Sequence, residues 1–264
     1  MGRGKVPDGK MKLHSKVLGS GRPVLILHGL FGSLDNWHSI GARLAESFRV
    51  YGVDLRNHGR SPHSPEMNYP LMAEDLRELI SAGNLEKVSL IGHSMGGKVA
   101  MQFALSYQEQ VEKLVVVDIA PRAYPPSHET IFKALLSLNL AQFKTRQQIQ
   151  EALAADIPDV AVRQFLLKNL SRQAGGGFFW QNNLSAIHEN YSHLIAGVEP
   201  GKTCDRPALF LRGEKSDYIR AEDEPLIRQL FPRAEVRTLV GADHWVHADV
   251  PETFLRNVQE FLRD

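Results

Sequence analysis

Cysteine is almost absent: Cys204 is the single one in 264 residues. The chain therefore forms no internal disulfide and builds no cysteine-based zinc site. That usage fits a reducing compartment. No stretch approaches 18 uninterrupted apolar residues, which excludes a spanning helix. Met1 to Lys10 is polar and lacks the apolar centre of a secretory signal. The expected location is cytoplasmic, with no membrane partner. A charge excess is missing too. Lys and Arg number 31 against 30 Asp and Glu, for a net charge of +1. A nucleic-acid partner calls for a basic excess, so none is expected.

What is present is an ordinary globular composition, 43% hydrophobic and 23% charged. A chain of this length buries a large core without staples. Short apolar runs recur: Val24–Leu27, Val50–Val53, Val88–Ile91, Leu114–Val117, Ala208–Leu211 and Val236–Val240. Continuous β-rich runs suit parallel strands buried on both faces. Trp37–Ser47, Leu71–Ala82 and Met95–Ser106 read as helices between them. The βαβα order implies an α/β fold, a mostly parallel sheet with helices on both faces. Met11–Leu18 reads as an antiparallel edge strand, and Thr253–Leu262 as a closing helix.

The alternation stops after Asp118. Ser127–Leu140, Thr145–Ala155, Asp159–Ser171 and Asn183–Ile195 read as helices, with a capping box at Thr145 and Gln148. No strand is expected there. Gly175-Gly176-Gly177 reads as a flexible joint before Phe178-Phe179-Trp180. The division expected is a core of 1–120 and 204–264, with a helical cap over 121–203 inserted after the strand ending at Asp118.

Gly92-His93-Ser94-Met95-Gly96 fits G-x-S-x-G. It follows a strand run and opens a helix, the context of a nucleophile elbow. Such a tight turn needs small residues where helix and strand nearly touch. A serine needs a base to take its proton. His244 lies in a loop just after the last strand run, at the same sheet edge as Ser94, and His247 competes with it. The base needs an orienting carboxylate. Asp118 and Asp217 both follow strand runs between Ser94 and His244, and the residues alone leave both open. An oxyanion hole needs two N–H donors. Met95, after the nucleophile, supplies one. Leu30, in the His28–Gly32 loop, supplies the other. Each such donor is worth about 3 kcal/mol in a transition state. Phe31 and Trp180 are the expected pocket walls.

His28-Gly29, Asp54 to Ser61, the motif at Ser94, and His244 with Pro251 seven residues on resemble the α/β-hydrolase superfamily across nearly the whole chain. Gly92 to Lys98, Asp118-Ile119-Ala120-Pro121 with Tyr124, and Trp180 with Asn183-Leu184 resemble the YbfF-type esterases and their mitochondrial abhydrolase relatives. The resemblance implies the α/β-hydrolase fold and a Ser-His-Asp triad, and selects His244 over His247. In most of the superfamily the acid lies three residues after the glycine ending its strand. Here that position, counted from Gly213, is Ser216, and Asp217 is displaced by one. YbfF-type esterases instead carry the acid at the place matching Asp118, so Asp118 is favoured. The expected activity is hydrolysis of small acyl esters or thioesters. No cofactor and no metal are expected, and the oligomeric state is a monomer or a small homo-oligomer. Other triad enzymes, such as carbon–carbon bond hydrolases and cofactor-free haloperoxidases, and a non-catalytic hydrolase-like ligand receptor are the alternatives. Lys98, four residues after Ser94 on its helix, either aids an anionic substrate or pairs structurally. Arg56 and His58 read as loop supports.

Overall fold

A computed structural model of the chain describes residues 11–199 and 202–263. The polar start, Met1 to Lys10, lies outside the described residues. In chain order the first half contains β1 (Ser15–Leu18), β2 (Pro23–Leu27), α1 (His38–Leu44), β3 (Arg49–Val53), α2 (Tyr69–Ala82), β4 (Val88–His93), α3 (Met95–Ser106) and β5 (Val111–Val117). Then come α4 (Glu129–Ser137), α5 (Arg146–Ala152), α6 (Val160–Leu167), β6 (Leu170–Arg172), β7 (Phe178–Trp180), α7 (Leu184–Glu189) and α8 (Tyr191–Ile195). The chain closes with β8 (Ala208–Gly213), α9 (Glu224–Leu230), β9 (Ala234–Leu239), α10 (Val246–Asp249) and α11 (Pro251–Arg263).

Seven of these strands form one sheet in the order β1-β3-β2-β4-β5-β8-β9. Every neighbouring pair is parallel except the edge pair β1 and β3. Alternation along each strand splits the core. Leu25, Leu27, Leu90, Leu114 and Val116 face the layer holding α2 and α3. Val24, Ile26, Ile91, Val115 and Val117 face the layer holding α1 and α11. Helices on both faces explain why these strands read as continuous apolar runs. No helix among the described residues is long and apolar enough to cross a membrane.

The segment between β5 and β8 does not have a core of its own. Phe132, Leu135, Ile149, Leu166 and Ile187 belong to the same buried cluster as one sheet face. Two sequence expectations need correction here. The segment is not all helical, because Leu170–Arg172 and Phe178–Trp180 pair as an antiparallel hairpin. Its turn is the triple glycine, with Gly176 and Gly177 at φ 92° and 83°, a region glycine enters without cost. The helix expected over Asn183–Ile195 is two helices, broken at Asn190. The Asn190 side chain leaves the helix to grip the core loop, donating to the Pro65 carbonyl at 2.7 Å and accepting from Met67 N at 3.1 Å. The capping box at Thr145 and Gln148 forms as expected.

Candidate active site

Ser94 stands between β4 and α3 at φ 51°, ψ −121°. A non-glycine residue holds this strained conformation only when its neighbours fix it. Its N–H donates to the Val117 carbonyl at 3.0 Å, and its own carbonyl accepts from Gly97 N at 2.8 Å. Glycine at 96 is obligatory. A Cβ there would lie 2.5 Å from the carbonyl oxygens of both Leu27 and His28. The start of α3 thus packs directly on the end of β2. The turn lifts a half-buried Ser94 side chain to the rim of two cavities.

Asp118 follows β5 and is fully buried, also at φ 51°. Its Oδ1 accepts from Gly213 N at 2.9 Å. Its Oδ2 accepts from His244 Nδ1 at 2.8 Å and from the Ser216 hydroxyl. Asp217, the rival, is placed elsewhere. Its side chain is 90% exposed and lies 4.0 Å from the Arg220 guanidinium. Ser216, at the superfamily's usual acid position, has become a hydrogen-bond donor to Asp118.

His244 is held from three sides. Tyr218 stacks on its ring at 4.0 Å, tilted by 19°. His93 Nε2 donates to its backbone carbonyl at 2.9 Å. Asp118 takes Nδ1, which leaves Nε2 as the free ring nitrogen. His247 is a packing residue. Its ring stacks on Trp37 at 3.9 Å, and burial pushes its pKa down to about 3. Burial likewise pushes His93 well below the usual imidazole range, so both stay neutral.

The loop from His28 to Gly32 rests on two more buried imidazoles. Leu55 N donates to His28 Nε2 at 3.1 Å, so Nδ1 carries the proton and donates to the Gly29 carbonyl at 2.8 Å. Phe31 N donates to His58 Nε2 at 3.3 Å, and His58 Nδ1 donates to the Arg56 carbonyl at 3.0 Å. Burial lowers the two pKa values to about 4 and about 3. Arg56 itself is locked to Asp75 by bonds of 2.6 and 2.7 Å. These residues shape the loop. Phe31 N–H is committed to His58. Leu30 N–H has no acceptor among the described residues. Met95 opens α3, where an N–H has no partner within the helix. Two unused donors thus flank Ser94.

One cavity, of about 210 Å³, is lined by Leu30, Ser94, Met95, Lys98, Tyr124 and Tyr218 among others. A second, of about 160 Å³, takes Ser94, His244, Phe31, Phe165 and Trp245 into its wall. It adjoins a wider space of about 340 Å³ through the shared residues Gly29, His93, Phe165 and Trp245. Phe31 is therefore a wall residue, packed edge-on against Phe132 at 4.9 Å. Trp180 is not. It sits in the β6–β7 hairpin, against the apolar cluster and away from both cavities that reach Ser94. The hairpin pairing turns this aromatic run toward packing. His93 and Tyr218 were not given a role from sequence, and Ser216 was named only for its place after Gly213. Ser216 had a usable signal in its offset from Gly213.

Set beside known proteins, this arrangement has clear relatives. A family model described as the alpha/beta hydrolase fold matches residues 22–251. The chain belongs to the α/β-hydrolase family. It is 37% identical to the esterase YbfF of Escherichia coli, over 92% of this chain and 93% of that one. It is 40% identical to the sn-1-specific diacylglycerol lipase ABHD11 of Danio rerio, over 93% of this chain and 80% of that one. A solved marine microorganism esterase is 46% identical and superposes with a TM-score of 0.93, covering 96% of this chain and 100% of that one.

Proposed function

We propose that this protein is a serine hydrolase of small acyl esters or thioesters, with Ser94, His244 and Asp118 as its triad. The observation that carries the reading is the 2.8 Å contact of His244 Nδ1 with Asp118, beside a cavity that His244 shares with Ser94. The names of the relatives, an esterase and a lipase, support ester substrates.

Asp118 holds the His244 tautomer in which Nε2 is the base. Nε2 takes the Ser94 proton as Oγ attacks the acyl carbonyl. The oxyanion forms against the Leu30 and Met95 N–H groups. His244 then gives its proton to the departing alcohol or thiol. A water deprotonated by His244 attacks the acyl-enzyme, and Ser94 is restored with release of the acid. The leaving group must meet His244, so it occupies the cavity lined by Phe31, Phe165 and Trp245. The acyl group takes the opposite cavity, under α8. The block from α4 to α8 acts as a cap that bounds both.

The test is a panel of nitrophenyl esters, acyl-CoA thioesters and a diketone, with Ser94→Ala as the reference. Ester or thioester turnover that vanishes in Ser94→Ala, with fluorophosphonate labelling of the wild type alone, is expected. Equal turnover in the variant refutes the mechanism, and cleavage of the diketone alone reassigns it to carbon–carbon bonds.

A further inference from the structure

Lys98 is an unusual lining for an apolar acyl pocket. It lies one helical turn after Ser94, and the 1.5 Å rise per residue puts it about 6 Å further along α3. Its side chain is 1% exposed, yet it borders the 210 Å³ cavity that also reaches Ser94. No carboxylate pairs with it among the described residues. Its ammonium donates to the carbonyls of Ile195, at 3.4 Å, and Ala196, at the end of α8. It also lies 4.7 Å from the centre of the Tyr124 ring and 5.6 Å from that of Tyr69. An ammonium has three N–H donors, and the two carbonyls take two. Arg122, Arg220 and Asp217 also line this cavity, with Arg220 4.0 Å from the Asp217 carboxylate. Arg122 is already paired with Asp223 at 2.7 Å. Among the described residues the buried ammonium thus has a spare donor and no counter-ion.

We propose that Lys98 is a specificity residue, and that the acyl group this site prefers ends in a carboxylate, as in half-esters or half-thioesters of short dicarboxylic acids. The inference rests on the reading of Ser94 as nucleophile. Burying an ammonium is costly unless it is paired. An incoming carboxylate supplies the missing partner, whereas a methyl terminus leaves the charge uncompensated. Burial, with Arg122 nearby, also pushes the Lys98 pKa down to about 7. Around it stand the phenols of Tyr69 and Tyr124, the Arg122 guanidinium and the two carbonyls, and His128, Tyr191, Asp217, Tyr218 and Arg220 line the same cavity.

The experiment compares kcat/KM for nitrophenyl hemiesters of succinic, glutaric and adipic acids with that for neutral nitrophenyl esters of equal chain length. Rates are corrected for spontaneous cleavage. At pH 6.5 the best hemiester is expected to exceed its neutral counterpart at least tenfold. Lys98→Met is expected to lower that ratio at least tenfold, mainly through the KM of the hemiester. In the wild type the ratio falls as pH rises through about 7, a readout independent of whether the variant folds. No preference in the wild type, a ratio unchanged in Lys98→Met, or a ratio flat from pH 6 to 8.5 overturns the proposal. Ser94-dependent turnover of neutral esters without any preference sinks Lys98 alone. Turnover that survives Ser94→Ala sinks the nucleophile reading and this inference with it.

Discussion

Asp118→Asn is the sharpest perturbation of the site, because the surroundings of the carboxylate decide how the new amide must lie. Oδ1 faces a backbone N–H, that of Gly213, which cannot turn away. Oδ2 faces His244 and the Ser216 hydroxyl, both of which can redistribute protons. An NH2 group set against Gly213 N–H leaves buried donors opposed, at a cost of about 1–3 kcal/mol. The NH2 therefore turns to His244, whose Nδ1 becomes the acceptor and whose proton moves to Nε2. That tautomer cannot take the Ser94 proton. The bias alone lowers the competent fraction about 5- to 150-fold. The lost charge-assisted bond to the imidazolium removes roughly another 1.5–3 kcal/mol. Together they predict a fall in kcat of between about 10² and 10⁴. The backbone does not confuse the result, since asparagine tolerates the φ of 51° at this position. The assay is nitrophenyl ester turnover, with the melting temperature as a check on folding. Asp217→Asn, altering an exposed side chain, is the control and should change kcat less than about threefold. Asp118→Asn within tenfold of wild type, or a large loss in Asp217→Asn, refutes the assignment of the acid.

The remaining predictions probe the supports of the site. Ser216→Asp added to Asp118→Asn returns a carboxylate to the superfamily's usual place and should recover at least tenfold of the lost kcat; no recovery means Ser216 is too far from His244. Tyr218→Ala should lower kcat/KM about 2- to 13-fold, the worth of an aromatic stack of about 0.5–1.5 kcal/mol. Tyr218→Phe keeps the ring and should stay nearer wild type, and equal losses in the two would implicate the hydroxyl instead. Gly96→Ala should destabilise the fold by about 3 kcal/mol or more, read from the urea midpoint, because its Cβ meets two backbone carbonyls. Acid should also destabilise the protein. His28 is neutral when folded, with a pKa near 4, while the unfolded chain protonates near 6.5. Its stabilising contribution is full above pH 6.5 and lost as pH falls toward 4, amounting to about 3 kcal/mol. His58, His128 and His247 are depressed in the same direction. An unchanged urea midpoint between pH 7 and pH 5 would show that these imidazoles are not buried neutral.

The sheet was legible because its signals are local. Each parallel strand is buried on both faces and so reads as an uninterrupted apolar run, and the elbow at Ser94 is written in five consecutive residues. The hairpin of β6 and β7 was not legible. Three-residue strands carry too little periodicity to separate from a loop, and their pairing depends on a distant partner. The break at Asn190 was hidden for a similar reason. Its cause is a pair of hydrogen bonds to a loop more than 120 residues earlier. The same limit applies to Trp180, whose aromatic character is equally suited to a pocket wall or to packing. His93 and Tyr218 were missed because orienting a histidine from below and stacking on its face leave no spacing signature.

The acid proposed at Asp118 is better understood from the sheet than from the β8 loop. β4 and β5 are neighbours, and each is followed directly by a residue at φ 51°, Ser94 and Asp118. The register of the sheet continues through both. Ser94 N donates to the Val117 carbonyl, and Asp118 N donates to the Leu211 carbonyl at 2.8 Å. A carboxylate at the end of β5 is thus fixed by backbone bonds on the sheet edge that also fixes the serine. One placed after β8 would depend on the conformation of a loop. What a triad requires is a carboxylate at Nδ1 of the histidine, whatever strand supplies it. With the acid proposed at Asp118, the β8 loop makes other contacts: Ser216 donates to that carboxylate and Tyr218 covers the His244 ring. On the proposed assignment, the β8 loop, where the resemblance to the superfamily would place the acid, supports an acid carried by the neighbouring strand.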